Sequence, residues 1–230
     1  MKYIEMLDKV IMSDDVSYSF YNLYDNNEEF REWLDNILPE IRKCELQKQN
    51  NPWHKYNVLG HILHAVEAMN SLTKNMDYKT RRLLAYVMLF HDIGKPDVVT
   101  INPKTGYDRF INHNKQSAKI ANRLLDTLHF NDSEKKLILD FIIRHDLFMF
   151  LTMNKTTNPY KKELTDKVVD ELIQELNVHG DGKKILSWLL LVGRSDNLAQ
   201  NELMTEESFK LLDKFESMLG NKRDERRITK

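Results

Sequence analysis

Cysteine, glycine and proline are scarce in this sequence, and positive charge is not in excess. Cys44 is the one cysteine among 230 residues, so the chain can form neither an internal disulfide nor a thiolate-rich metal site. The 34 lysines and arginines are balanced by 35 aspartates and glutamates. This balance excludes a global positive field of the kind that holds nucleic acid or an anionic membrane, although a local basic patch is compatible with it.

Long apolar runs are absent as well. No stretch approaches the roughly 20 residues that are needed to span a bilayer. The first residues, "MKYIEMLDKVIMSDD", carry Glu5 and Asp8 and lack a small-residue cleavage site, so we expect no signal peptide. These features predict a cytoplasmic protein with no membrane partner.

Two features predict an all-α fold: the glycine and proline content is low, and apolar residues recur mostly three and four positions apart. No strand pair is expected. Pro39 should interrupt an early helix, and the turn-rich segment 94–112 should form a loop over a site. Asn112 should cap one helix, and either Asn131 or Asp132 should cap the next. The helices expected after residue 57 are 58–72, 79–91, 113–128, 132–147, 161–176, 182–201 and 206–219.

The segment "FHDIGKP", residues 90–96, follows an apolar run and raises the question of a metal site. Adjacent residues such as His91 and Asp92 point about 100° apart in a regular helix. Gly94 can adopt a left-handed conformation and Pro96 cannot continue a helix, so the helix should end here and let both side chains face one point. A polar helix end, without a metal, would explain the same two residues.

Other residues favour the metal site. The further candidate ligands are His61, His113, His145 and Asp196. Asp196 interrupts an apolar run, where a buried carboxylate needs a metal or an ion partner. An aspartate between two cations can bridge them, so Asp92 can serve two sites. One site would add His61, His91 and Asp196, and the other would add His113 and His145. Such nitrogen and oxygen ligands suit two divalent ions among Fe, Mn, Mg, Co, Ni and Zn.

The order H…HD…H…H…D of these six residues resembles the HD superfamily of metal-dependent phosphohydrolases in its five-helix, two-metal form. The segments "QNNPWHKYNVLGHILHAVEAM", "HDIGKP", "RFINHNKQSAKIANRLLDTLHF" and "GRSDNLAQN" are similar to the HD region of bacterial tRNA nucleotidyltransferases. The similarity runs over about residues 28–203. The nucleotidyltransferase head, with its glycine-serine turn and paired acidic residues, has no counterpart in the first 50 residues. The resemblance therefore implies an HD-domain helical bundle that does not add nucleotides to tRNA.

The resemblance also implies how the chain is divided. Residues 1–50 would form a helical N-terminal extension that packs on the core. Residues 51–203 would form the HD phosphohydrolase domain. Residues 204–230 would add a C-terminal helix and a charged tail.

Carried onto this sequence, the resemblance makes the six candidate residues metal ligands. It makes Lys95, in "HDIGK", a cation that contacts the phosphate, so Asp92 and Lys95 are the predicted catalytic residues. Arg144 and Arg194 are predicted to bind substrate or orient ligands, with pairing to surface acids as the alternative. His54 matches no ligand position.

The predicted function is hydrolysis of a phosphomonoester or phosphodiester of a small phosphorylated substrate, such as a nucleotide, by metal-activated water. One alternative is an HD-type di-iron oxygenase, which the nitrogen-rich ligand set allows. Another is a non-catalytic nucleotide- or RNA-binding module, suggested by the basic tail "NKRDERRITK". Balanced charge and the lack of interleaved aromatic and basic residues weigh against RNA. The oligomeric state is left open.

Overall fold

The computed structural model describes residues 2–154 and 157–228, with side chains described as far as residue 221. Helices dominate these residues, so the predicted all-α class is confirmed. The α-helices are α1 (Lys2–Ile11), α2 (Val16–Asn26), α3 (Glu28–Ile37), α4 (Glu40–Leu46), α5 (Val58–Thr73), α6 (Tyr78–Phe90), α7 (Lys95–Val98), α8 (His113–Leu124), α9 (Asp132–Arg144), α10 (Asp166–Leu176), α11 (Gly182–Leu198) and α12 (Glu206–Ile228).

Two short strand pairs occur in the loops, and the expectation of no strand pair was wrong there. Strand β1 (Thr100–Ile101) pairs antiparallel with β2 (Asp108–Arg109), and β3 (Leu151–Thr152) pairs in parallel with β4 (Lys162–Glu163). Each strand has two residues, which is too short for the alternation that identifies a strand in a sequence.

Side chains cap the first turns of α2, α3, α5, α6, α9, α10 and α11, but not those of α4, α7 and α8. The predicted cap Asn131 accepts bonds from Ser133 N and Glu134 N and forms a capping box with Glu134. The predicted cap Asn112 was wrong, because its backbone is left-handed, with φ 62°, and its side chain makes no capping bond. Helix α10 begins later than expected, at Asp166, because the chain before it forms β4.

The buried core lies between the central helices. Helix α5 packs against α6 and α11, and α9 packs against α6 and α8. Their inward faces are closed to solvent, as shown by Ile62, Val66, Tyr86 and Phe141, each with no exposed surface. Burying such a side chain contributes about 1.5–3 kcal/mol. This packing fixes the helix ends that carry the candidate ligands.

The N-terminal helices α1 and α2 pack on the same core. Asn70 Nδ2, on α5, donates to Ile11 O at 2.7 Å and to Ser13 O at 3.0 Å. Tyr86 on α6 donates to Asp8 Oδ1 at 2.8 Å. The division of the chain at residues 50 and 203 stays a prediction.

Among the described residues, no helix has both the length and the apolar character needed to cross a bilayer.

Candidate metal centre

The six predicted ligands meet in the interior of the helical bundle. His61 lies within α5 and Asp196 lies within α11, whereas the other four predicted ligands lie at helix ends. Five of the six are buried, and His113 is partly buried. The ligands at helix ends are His91 and Asp92 after α6, His113 at the start of α8 and His145 after α9.

The first group joins His61, His91, Asp92 and Asp196, whose ligand atoms all lie within 4.8 Å of one another. His61 Nε2 is 2.9 Å from Asp196 Oδ1 and 3.2 Å from Asp92 Oδ2. His91 Nε2 is 3.3 Å from Asp92 Oδ2 and 3.5 Å from Asp196 Oδ1. Two imidazoles and two carboxylates therefore surround one point.

The second group joins Asp92 to His113 and His145 within the same limit. Asp92 Oδ1 lies 3.2 Å from His113 Nε2 and 3.6 Å from His145 Nε2. Because Oδ2 faces the first group and Oδ1 the second, the Asp92 carboxylate lies between two groups of ligands. This is the arrangement expected of a bridging carboxylate.

Backbone carbonyls fix the orientation of the imidazole rings. The Nδ1 atoms of His91, His113 and His145 lie 2.6, 2.6 and 2.7 Å from the carbonyl three residues earlier in the chain. His61 Nδ1 lies 3.3 Å from Ala199 O. A carbonyl only accepts, so Nδ1 carries the hydrogen and the neutral ring presents its Nε2 lone pair to the cluster.

The interior of the cluster consequently consists of acceptor atoms. His61 Nε2 and His91 Nε2 are 3.2 Å apart, as close as hydrogen-bonded atoms, although two lone pairs repel. Asp92 Oδ1 is buried and has no hydrogen-bond partner. Protons or metal ions must therefore occupy the space between these atoms.

Electrostatics within the cluster favour protons when no other cation is bound. Burial opposes protonation, but the carboxylates of Asp196 and Asp92 outweigh it and raise the pKa of His61 to about 9, and that of His91 to about 9. Burial would raise the pKa of Asp92, but Lys95 and His91 hold it well below its usual range. Metal ions would replace the imidazole protons at the same positions.

Lys95 adjoins the shared carboxylate. Its Nζ lies 2.6 Å from Asp92 Oδ2, 2.9 Å from Gln49 Oε1 and 3.3 Å from His54 Nε2. Burial and the neighbouring Lys95 lower the pKa of His54 to about 2, so His54 is neutral and accepts from the ammonium. The three hydrogens of the buried ammonium thus each have an acceptor.

The two predicted substrate-binding arginines pair with acidic side chains. The ion pairs are Arg144 with Asp140 and Glu175, at 2.8 and 2.7 Å, and Arg194 with Asp213 and Glu216, at 2.7 and 3.1 Å. These contacts favour the alternative of pairing with acids. The substrate-binding role of both arginines stays a prediction.

The sequence reasoning did not assign Asp146 or Gln49 to the site. Asp146 Oδ2 lies 3.3 Å from His113 Nε2, and Asp146 Oδ1 lies 3.3 Å from His145 Nε2. A signal was available, because "HD" at 145–146 repeats the dipeptide at 91–92. Gln49 offered no signal, since it reaches Lys95 only when the chain folds.

Glycine is needed at position 94 for a different structural reason from the one predicted. Its φ of −85° and ψ of −5° are right-handed, so the expected left-handed turn was wrong. A Cβ at this position would lie 2.5 Å from Ser117 N and 2.9 Å from the backbone carbon of Gln116. Glycine is therefore required by the close approach of the "HDIGK" turn to α8, whose first residue is His113.

Gly94→Ala should lower the free energy of unfolding by about 1–3 kcal/mol, because backbone atoms of α8 must move away from the new Cβ. Gly220→Ala is the matched control, since Gly220 is an exposed position of α12 where a Cβ meets nothing within 4 Å. The control should be neutral or slightly stabilising, as expected for alanine in a helix. Urea denaturation measures both, and equal stability of Gly94→Ala and the wild type would contradict this packing.

Comparisons with known proteins agree with the position of the cluster. The HD domain family model matches residues 58–201. An A-adding tRNA nucleotidyltransferase of Deinococcus radiodurans is 30% identical over 113 residues, which are 49% of this chain and 25% of that protein. The chain thus spans about a quarter of the length of this relative. All six predicted ligands lie inside the segment that the family model matches.

Proposed function

Because the chain belongs to the HD domain family, we propose that it is a metal-dependent phosphohydrolase that cleaves a small phosphorylated substrate. The observation that carries the proposal is the position of Asp92. Its two carboxylate oxygens face two pairs of histidines, one pair on each side. A pair of cations held in this way is suited to attack of water on a phosphoester.

The residues present fit two divalent ions. Imidazole nitrogens and carboxylate oxygens without thiolates suit Mn, Fe, Co, Ni, Zn or Mg, and Asp92 Oδ1 is a buried acceptor without a partner. His61, His91, Asp92 and Asp196 would hold one ion, and Asp92, His113 and His145 the other. When bound, the ions would supply an activated water and neutralise charge on the phosphoryl oxygens.

The protein itself orients the groups of the site. Backbone carbonyls hold the imidazoles with Nε2 facing inward. Lys95 holds the Asp92 carboxylate and places a fixed positive charge beside it. To contact a phosphoryl oxygen, the ammonium would exchange its bond to Gln49 or His54. Because Lys95 is buried, that charge would act strongly on charge that develops in the transition state.

Two exposed aromatic rings beside the site support a nucleotide as the substrate. Trp53 immediately precedes His54, and its ring lies edge-on to Tyr107 with centroids 6.4 Å apart. Trp53 and Tyr107 retain 45% and 40% of their exposure. The loop that carries Tyr107 is held by the mutual bonds of Asn50 and Asp108, at 2.7 and 3.0 Å. We therefore propose that a nucleobase stacks on this aromatic pair.

Trp53→Ala should raise KM for a nucleotide substrate about 5- to 150-fold, since base stacking on an aromatic side chain contributes about 1–3 kcal/mol. The kcat should change little, and KM for glycerol phosphate, which has no base, should not change. Tyr18→Ala is the control for loss of a surface aromatic ring, since Tyr18 is an exposed side chain of α2. An unchanged nucleotide KM would show that the base does not stack there.

The function is tested by screening the metal-loaded protein against nucleoside monophosphates, cyclic nucleotides and simple phosphoesters. We expect hydrolysis that depends on added divalent ions and is lost in His91→Ala. The proposal fails if no substrate in the panel is hydrolysed while His91→Ala still binds metal as the wild type does. Ligand binding that survives removal of the metal, without turnover, would favour a binding module. The side chains of residues 222–230, on which the RNA-binding alternative depended, lie outside the described residues.

A further inference from the structure

We propose that Asp146 is the terminal carboxylate ligand of the second metal site. This proposal rests on the proposed function, in which both sites hold divalent ions. Asp146 follows His145 directly, in the short 3-10 helix His145–Phe150 that continues α9. Each site would then consist of two histidines, one terminal aspartate and one oxygen of Asp92.

Asp146 contacts both histidines of its group, as Asp196 does in the first site. Asp146 reaches both histidines of its group, with 3.3 Å to His113 Nε2 and 3.3 Å to His145 Nε2. Asp196 Oδ1 likewise reaches both histidines of the first group, at 2.9 and 3.5 Å. The two halves of the cluster are therefore alike in composition, although Asp196 contacts its histidines through Oδ1 alone and Asp146 uses one oxygen for each histidine.

The separations are those of atoms that share one ion. Ligand atoms that lie about 2.0–2.2 Å from a cation, at angles between 90° and 109°, are about 2.8–3.6 Å apart. The distances of Asp146 to both Nε2 atoms fall in this range, as does the 3.1 Å between His113 Nε2 and His145 Nε2. His113, His145 and Asp146 are thus close enough to share one cation, and Asp92 lies close to the same two histidines.

Charge balance gives a second reason. Without Asp146, the second site would hold a divalent ion with only a share of the Asp92 carboxylate, whereas the first site also has Asp196. With Asp146, both sites carry the same protein charge, and three carboxylates face two divalent ions. The remaining positive charge is available to a phosphate group. The Asp146 side chain keeps 20% of its exposure, so a water or a phosphoryl oxygen can approach the same ion.

The test is titration of Mn²⁺ into metal-free wild-type protein, Asp146→Asn, Asp196→Asn and Asp126→Asn. Asp126 is an exposed aspartate that pairs with Lys135, so its variant controls for loss of one negative charge. Calorimetry gives the stoichiometry, and electron paramagnetic resonance distinguishes a coupled manganese pair from an isolated ion. If asparagine at 146 prevents folding, as shown by circular dichroism, Asp146→Ser is titrated in its place.

We expect two ions in the wild type and in Asp126→Asn. In Asp146→Asn the second ion should bind more than about 100-fold more weakly, since loss of a mere outer partner of a ligand already costs 10- to 100-fold. The coupled signal should disappear, leaving one isolated ion, and Asp196→Asn should lose the opposite ion. Two ions bound by Asp146→Asn with wild-type affinity would overturn the assignment. A wild type that binds two ions and hydrolyses nothing would contradict the proposed function and leave the Asp146 assignment standing.

Discussion

Asp92→Asn should remove both metal ions and lower kcat by at least about 1,000-fold, a loss of more than about 4 kcal/mol of transition-state stabilisation. The carboxylate is shared, with Oδ2 facing His61 and His91 and Oδ1 facing His113 and His145. An amide has one acceptor instead of two, and its NH₂ group would face either imidazole lone pairs or the Lys95 ammonium. Among the six predicted ligands, Asp92 is the one that belongs to both groups.

Asp97→Asn is the control for Asp92→Asn. Asp97 lies in α7, where its carboxylate accepts from Lys43 and Gln116. Elemental analysis and turnover should leave Asp97→Asn close to the wild type. If Asp92→Asn retained two ions, the shared-carboxylate interpretation would be wrong, even if its activity fell.

Lys95→Met should retain two metal ions but lower kcat about 100- to 1,000-fold, because loss of one preorganised electrostatic group typically has this effect. In the metal-free protein, the same change removes the cation that lies 2.6 Å from Asp92 Oδ2. Breaking a buried ion pair from one side costs about 3–5 kcal/mol, so the metal-free variant should unfold at lower urea than the wild type. Added Mn²⁺ should recover much of this stability, since the metal ions then neutralise Asp92.

Lys43→Met is the control for Lys95→Met, because Lys43 is an exposed lysine that pairs with Asp97. Its kcat and its stability should remain near the wild type. If Lys95→Met kept its metal and had the wild-type kcat, Lys95 would not be a catalytic residue. Its role would then be to position Asp92.

Local sequence patterns were sufficient for two of the helices that build the site, whereas α8, α9 and α11 end three or four residues before their predicted ends. The spacing of apolar residues predicted α5 and α6 to within one residue at each end, because both helices bury a continuous face in the core. Of the two candidate caps for α9, the structure selects Asn131, whose capping box depends on residues three positions apart. Asn112 was not, because a left-handed backbone before α8 is set by the packing of the preceding loop.

The site itself was only partly predictable. The order of the six candidate ligands, read through a family resemblance, identified side chains that the fold does bring together. Their role as ligands stays a prediction. The contacts of Lys95 with Gln49 and His54 depend on how the connector before α5 folds back on α7, which no local pattern encodes. Gly94 was noticed for the wrong reason, since the clash that requires glycine involves α8, 23 residues further along.

The most direct test of the central claim is turnover of the manganese-loaded protein in ¹⁸O-labelled water under anaerobic conditions, with the best substrate of the phosphoester panel. Phosphoester hydrolysis predicts that product forms without oxygen and that one ¹⁸O atom enters the released phosphoryl group in each turnover. Absence of anaerobic turnover, together with oxygen consumption by the iron-loaded protein, would contradict the claim and favour an oxygenase.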